Sequence, residues 1–117
     1  MLSARVAIGI GMSLFALCAC ESPKTLYHWG RYEDSVYKML ENPDGTNVPA
    51  EIQSLSNEVE QDLAEGRRAA PGVHAHLGYL YYLSGNPDSA KLEFEAEKAA
   101  YPESAVFIDG VLRRMKS

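Results

Sequence analysis

The chain contains three histidines, the side chains that most often bind metals or exchange protons near neutral pH. His74 and His76 are two residues apart, which on a helix points them to different faces and prevents joint chelation of one metal ion. The sequence has no Ser/His/Asp order, no zinc-binding His-Glu-x-x-His and no glycine-rich phosphate loop. We therefore expect no catalytic residue, no metal and no cofactor. An enzyme would instead require His74 or His76 to meet a carboxylate such as Glu97 inside a closed pocket.

Two cysteines near the amino terminus point to another chemistry, the covalent attachment of lipid. Arg5 supplies positive charge, and the apolar stretch at residues 6–17 is too short to span a bilayer stably. The next residues, Leu17-Cys18-Ala19-Cys20, resemble a lipobox, in which a branched residue stands three positions before the lipid-accepting cysteine and a small residue directly precedes it. Cys20 fits this pattern better than Cys18, which would follow Leu17. The sequence predicts lipidation at Cys20; an ordinary secretory signal or a buried apolar helix is the alternative.

Cleavage before Cys20 would divide the chain into a signal peptide at residues 1–19, a lipidated cysteine and tether at 20–30, and a helical domain at 31–117. The two acyl chains of the diacylglyceryl group on Cys20, together with an N-acyl chain, would hold the protein on a membrane durably. A single acyl chain gives only marginal binding. An Asp after the lipidated cysteine is the usual inner-membrane retention signal in Gram-negative bacteria. Glu21 therefore favours the periplasmic face of the outer membrane, with the inner membrane as the alternative.

The composition excludes several partners and sources of stability. The formal net charge is −5, and it becomes −6 once Arg5 leaves with the signal peptide. An acidic domain without a stripe of Lys and Arg is a poor nucleic-acid binder, so we expect no nucleic acid. Lipidation would consume Cys20 and cleavage would remove Cys18, which leaves no pair for a disulfide. Helix packing must therefore stabilise the domain.

Proline and glycine divide the remaining chain into about five helices, and no segment alternates as a strand would. Residues 73–84 are apolar almost all round, which predicts a helix packed on more than one side at the centre of the core. Asn86 is placed to cap the next helix and Pro87 to begin it. Three acidic residues of that helix predict a solvated face: Glu93, Glu95 and Glu97. Buried stripes are predicted at Tyr32, Val36, Met39 and Leu40, at Ile52, Leu55, Val59 and Leu63, and at Val106, Phe107, Val111, Leu112 and Met115.

The central residues also match the spacing of a tetratricopeptide repeat (TPR), a helical hairpin of about 34 residues. When Pro71 is the first position, six residues fall on signature positions: Leu77, Gly78, Tyr81, Ala90, Phe94 and Pro102. Gly78 and Ala90 are small, so two antiparallel helices can approach closely there. His74 and Glu97 depart from the aromatic and small residues that the repeat usually has. The pattern predicts an all-α, TPR-like antiparallel solenoid of about five helices.

The chain from about residue 20 to 115 resembles a family of small bacterial lipoproteins of unknown function. The resemblance rests on a Tyr-x-Trp-Gly-x-Tyr opening at 27–32, a Pro-Gly-x-x-Ala-x-Leu-Gly-Tyr-Leu-Tyr centre at 71–81 and Tyr-Pro-Glu-Ser at 101–104. Such proteins are often encoded beside a lipoprotein similar to the curli-secretion channel. The resemblance implies a part in an envelope complex, with other envelope proteins, including neighbouring lipoproteins, as partners.

Seven tyrosines and one tryptophan supply much amphipathic contact surface. Tyr79, Tyr81 and Tyr82 share one helix and cannot all face one core, so at least one should line a groove or a partner surface. Packing of all three against neighbouring helices is the alternative. We expect a partner-binding surface formed by His74, Tyr79 and Tyr82. The expected function is a non-catalytic, lipid-anchored scaffold or assembly module, or alternatively a pilotin-like escort of an outer-membrane secretion channel.

Overall fold

The computed structural model describes residues 26–117, so the predicted signal peptide and Cys20 lie outside the described residues. Five α-helices form this region, joined by turns and two short 3-10 helices. The prediction of an all-α fold is confirmed, because the only β-type pairing within residues 26–117 is an isolated bridge between His28 and Ala69. The helices are α1 (Tyr32–Glu41), α2 (Val48–Ala64), α3 (Val73–Leu83), α4 (Pro87–Ala100) and α5 (Ala105–Met115).

Asparagine side chains cap two of the helices. The Asn47 side chain accepts a hydrogen bond from the Ala50 amide at 3.1 Å, and Asn86 accepts one from the Ser89 amide at the same distance. Each bond satisfies one of the amide donors that the first turn of a helix leaves unpaired. The cap predicted at Asn86 is therefore confirmed, and α4 begins at Pro87 as the sequence indicates.

Helices α3 and α4 form the closest pair, and they run antiparallel. An added Cβ on Gly78 would lie 2.9 Å from the Phe94 ring and 3.1 Å from the Ala90 carbonyl oxygen. Both distances are shorter than an ordinary van der Waals contact, so only glycine permits this approach of the two backbones. Ala90 is fully buried and Phe94 nearly so. The close contact that the spacing of Gly78, Ala90 and Phe94 predicts is present.

Two small apolar clusters form the core, and Tyr81 packs against both. The first cluster joins α2 to α3 through Leu55, Leu77 and Leu80, with side chains of α1 packed around it. The second joins α4 to α5 through Ala90, Phe94 and Ile108. Helix α3 thus contributes to the packing on both sides, as its apolar character on every face predicts.

All three predicted buried stripes are partly wrong. Leu40 of α1 is 76% exposed, whereas the fully buried residue of that helix is Ser35. Leu63 of α2 is 77% exposed, and the buried residue in that turn is its neighbour Asp62. In α5, Val106 and Phe107 are 86% and 63% exposed, whereas Ile108 is fully buried. Helix α5 packs on α4 through the face that carries Ile108, and Val106 and Phe107 lie outside that face.

Candidate functional site

An apolar groove lies between α3 and α5, and two of the predicted partner-binding residues border it. Tyr79 and Tyr82 are 45% and 50% exposed. The groove has a volume of about 330 Å³, and its other lining residues are Phe94, Val111, Arg114 and Met115. Half-exposed tyrosines can cover an apolar ligand with their rings while the hydroxyl groups remain in water. The groove therefore suits an apolar peptide segment.

A second groove lies between α1 and α3 and shares Tyr79 with the first. Its volume is about 310 Å³, and it is lined by Val36, Met39, Leu40, Pro43, His76 and Tyr79. Because the Tyr79 side chain borders both, the two grooves form one surface that crosses α1, α3 and α5. We call this surface the groove face.

His74, the third predicted partner-binding residue, does not line the groove face. Its Nδ1 atom lies 2.7 Å from Glu93 Oε2 on α4, and only 19% of its side chain is exposed. The hydrogen bond to Glu93 raises the pKa of His74 above its ordinary value. The structure therefore brings Tyr79 and Tyr82 together and directs His74 toward α4.

Glu97 is buried, so the expectation of a fully solvated Glu93–Glu95–Glu97 face is wrong at this position. Its two carboxylate oxygens accept hydrogen bonds from the Gly72 amide at 2.8 Å and the Ala75 amide at 3.3 Å. These amides belong to the first turn of α3, where unpaired N–H groups and the helix dipole favour a negative charge. Glu97 thus ties α4 to the start of α3.

His76 forms a second buried polar contact, with Ser35 of α1. The Ser35 hydroxyl lies 3.1 Å from His76 Nε2, and Ser35 is only 1% exposed. Burial lowers the pKa of His76 below its ordinary value. A serine so deeply buried cannot reach a substrate, so this pair joins two helices and is no candidate for nucleophilic catalysis.

The segment before α1 is held by polar contacts that the sequence analysis did not predict. His28 Nδ1 lies 2.8 Å from Asp62 Oδ2, and Arg67 donates two hydrogen bonds to Asp62 Oδ1 at 2.8 and 3.0 Å. The Glu58 carboxylate accepts a hydrogen bond from the Arg31 amide at 3.1 Å. The one available signal was that Asp62 follows buried Leu55 by seven residues and so lies on the same helix face.

Neither a metal site nor a membrane span is found in the part of the chain that the structure describes. Residues 26–117 contain no group of three or more His, Cys, Asp or Glu side chains positioned to hold a metal ion. None of the helices in the same region combines the length and apolar character needed to cross a bilayer.

A family model described as a domain of unknown function, DUF4810, matches residues 26–111, which is most of the chain. The chain belongs to the DUF4810 family. This DUF4810 domain begins with the segment held by Asp62 and includes both tyrosines of the groove face. The match ends at Val111, so Arg114 and Met115 lie just beyond it. No curated protein and no solved structure matches the chain.

Proposed function

We propose that this DUF4810 protein is a non-catalytic scaffold or assembly module that binds another envelope protein on its groove face. The observation that carries the proposal is the position of Tyr79 and Tyr82, each about half exposed beside an apolar groove. Aromatic side chains of this kind dominate the binding energy of many protein interfaces. A partner segment that covers the groove would remove its apolar side chains from water, which favours binding.

The histidines support binding rather than catalysis. His74 is engaged by Glu93, and His76 is engaged by the buried Ser35 hydroxyl. Glu97, the carboxylate that an enzyme would use beside one of them, already accepts two backbone hydrogen bonds. Each of these contacts joins one helix to another.

The proposal includes lipid attachment at Cys20 and a TPR-like architecture. The antiparallel α3–α4 pair with glycine at its closest point supports the repeat, as does the groove face formed by alternate helices. The lipobox-like sequence at residues 17–20 supports an anchor on the periplasmic face of the outer membrane. The proposed partners are other envelope proteins, and neighbouring lipoproteins are the first to test.

Site-specific photocrosslinking in living cells tests the binding surface. A photoreactive phenylalanine derivative replaces Tyr82 in one strain and Tyr37 in another. Tyr37 is the matched control, because it is 61% exposed on α1 and lines neither groove. We expect a discrete crosslinked protein from position 82 and none from position 37. Identical crosslinks from both positions, or none from either, would contradict the proposal.

The anchor is tested separately by metabolic labelling with a radioactive fatty acid. Cys20→Ala should abolish incorporation of the label, and Cys18→Ala should preserve it, because only Cys20 follows a small residue. Label that persists in the Cys20→Ala variant would show that the lipid acceptor lies elsewhere. Fractionation of the labelled membranes then tests the outer-membrane location.

A further inference from the structure

The groove face carries one formal charge. Among the residues that line its two parts, Arg114 is the only Lys, Arg, Asp or Glu. The whole chain has 16 acidic and 11 basic residues, so its net charge is negative, whereas the single charge of the groove face is positive. Within residues 26–117, Arg114 takes part in none of the ion pairs formed within 4.0 Å. Its guanidinium is therefore available to an anionic group on a ligand.

Arg114 lies on α5, at the edge of the groove face opposite the lining residues of α1. Phe107, Val111 and Arg114 follow one another at spacings of four and three, so they share one face of α5. Beyond Arg114, the chain continues with Met115, Lys116 and Ser117, of which only Met115 lines the groove. A ligand that crosses the face from α1 to α5 therefore meets the apolar side chains of α1 and α3 before it reaches Arg114, so its apolar residues lie on one side of its negative charge.

We infer that the groove face binds the carboxyl-terminal segment of a partner protein, with apolar side chains in the grooves and the free terminal carboxylate on Arg114. The inference rests on the proposed function and adds the chemistry of the bound segment. The carboxylate at the end of a chain has residues on one side only, whereas the carboxylate of an internal Asp or Glu has residues on both sides. Arginine suits this group, because its planar fork can donate two parallel hydrogen bonds to one carboxylate.

The dimensions of the groove face set the length of the segment. It crosses α1, α3 and α5, and even directly packed helices lie about 8–10 Å apart, so it spans at least about 16–20 Å. An extended chain advances about 3.3 Å per residue, so a segment that crosses the whole face needs at least about five or six residues. The segment runs from the α1 side, beside Val36 and Met39, to Arg114 on α5.

The test measures binding of defined peptide pools to the full-length protein in lipid nanodiscs by fluorescence anisotropy, with binding to empty discs subtracted. The first pool contains labelled hexapeptides of Ala, Leu, Val and Phe with a free carboxyl terminus. The second pool contains the same peptides as carboxyl-terminal amides. The third contains amidated peptides with one internal Glu. We expect the free-acid pool to bind at least about tenfold more tightly than either amidated pool, a difference of about 1.4 kcal/mol.

Two arginine variants identify the residue that binds the carboxylate. Arg114→Gln should reduce binding of the free-acid pool to the level of the amidated pool. Arg113→Gln is the matched control, because Arg113 is exposed in the same last turn of α5 but does not line the groove. It should leave the preference for the free acid unchanged. The Tyr82→Ala variant should weaken binding of every pool.

Each contrary result has a distinct meaning. Equal binding of free-acid and amidated pools, lost on Tyr82→Ala, would overturn the carboxylate assignment and leave the groove as a binding surface. Tighter binding of the pool with internal Glu would show that Arg114 binds an acidic side chain and not a chain terminus. Failure of the free-acid pool to bind would overturn the inference, and photocrosslinking at position 82 would still decide the proposed function.

Discussion

The contact between α3 and α4 and the contact between the amino-terminal segment and α2 stabilise the same small domain by different means. The first, which we call the apolar joint, consists of Gly78, Ala90 and Phe94, and its strength comes from close packing and the exclusion of water. The second, the polar joint, consists of His28, Asp62 and Arg67 and depends on charged hydrogen bonds.

The difference lies in how much each joint tolerates change. Close packing fails when a side chain is added or removed, because the surrounding atoms relax only partly. Charged hydrogen bonds at a partly exposed site lose less, because water can replace the missing partner. The Asp62 carboxylate is buried, but its partners His28 and Arg67 are 39% and 41% exposed on their side chains, whereas Ala90 and Phe94 are both buried. We therefore expect the apolar joint to dominate stability and the polar joint to fix the position of the segment before α1.

The largest effect is expected from Phe94→Ala, which empties the centre of the apolar joint. Removal of a buried aromatic ring typically lowers the free energy of unfolding by about 3–5 kcal/mol. Phe107→Ala is the control, because Phe107 is largely exposed and its truncation should cost no more than about 0.5 kcal/mol. Urea unfolding followed by circular dichroism measures both. Equal losses in the two variants would mean that Phe94 does not occupy the core.

A glycine pair gives the next test of the apolar joint. Gly78→Ala places a methyl group 2.9 Å from the Phe94 ring and should cost about 1–3 kcal/mol through overpacking. Gly110→Ala meets only the ends of two arginine side chains, the nearer at 3.7 Å, and should stabilise α5 by about 0.5–1 kcal/mol through helix propensity. Thermal melts of both variants should therefore shift in opposite directions. A Gly78→Ala melt at or above the parent temperature would refute the close approach.

A smaller loss is expected in the polar joint from Asp62→Asn. The neutral amide keeps the size of the side chain but weakens the bonds from His28 and Arg67, at a cost of about 1–2 kcal/mol. Asp44→Asn, at an exposed position in the turn after α1, should change stability by less than about 0.5 kcal/mol. Urea titration gives both values. A loss for Asp62→Asn as large as that for Phe94→Ala would reverse the ranking of the two joints.

The smallest effect concerns the pH dependence of stability, in which the two histidines of α3 act with opposite sign. Glu93 raises the pKa of His74, so its contribution is complete below the ordinary value of 6.5 and is lost as pH rises through the raised pKa. Burial lowers the pKa of His76, so its contribution is complete above 6.5 and is lost as pH falls through the lowered pKa.

Variants at each histidine separate the two slopes. Between about pH 5.5 and 8, the range in which histidine titrates, His74→Gln should remove the decline in unfolding free energy toward alkaline pH. His76→Gln should remove the decline toward acidic pH. Unfolding titrations at several pH values measure the slopes, which a merely destabilising substitution would leave unchanged. Parallel pH profiles for the parent and both variants would contradict the assignment.

Residue spacing was enough to predict the apolar joint, because helix packing imposes regular positions on small and large residues. Gly78, Ala90 and Phe94 occupy the positions that the repeat pattern assigns to them. The same regularity would have selected Ile108, which begins the spacing of three, four and seven that reaches Val111, Leu112 and Met115. The prediction instead included Val106 and Phe107, which are apolar but lie outside this stripe.

The polar contacts were not predictable in the same way. In the sequence, Glu97 is one of three alternating acidic residues and does not differ from the other two. Its burial is explained by the hydrogen bonds that it accepts from amides at the start of α3, which the folded structure places beside it. Asp62 likewise pairs with His28, which is 34 residues away in the chain, and only its second partner, Arg67, is local. In the groove face, the sequence predicted Tyr79 and Tyr82 but grouped His74 with them. A side chain beside a facing helix can turn toward that helix when a carboxylate such as Glu93 is there.

The pairing of His28 with the loop before α3 determines where a membrane anchor would pull on the domain. His28 donates its amide to the Arg68 carbonyl and accepts from the Ala70 amide, beside the first turn of α3. With Cys20 lipidated as proposed, the seven residues up to Tyr27 reach at most about 25 Å. Tyr82 lies nine residues along α3, about 14 Å farther from this attachment point. A lipid on Cys20 would therefore pull on the domain beside the first turn of α3, and Tyr82 would lie near the opposite end of that helix.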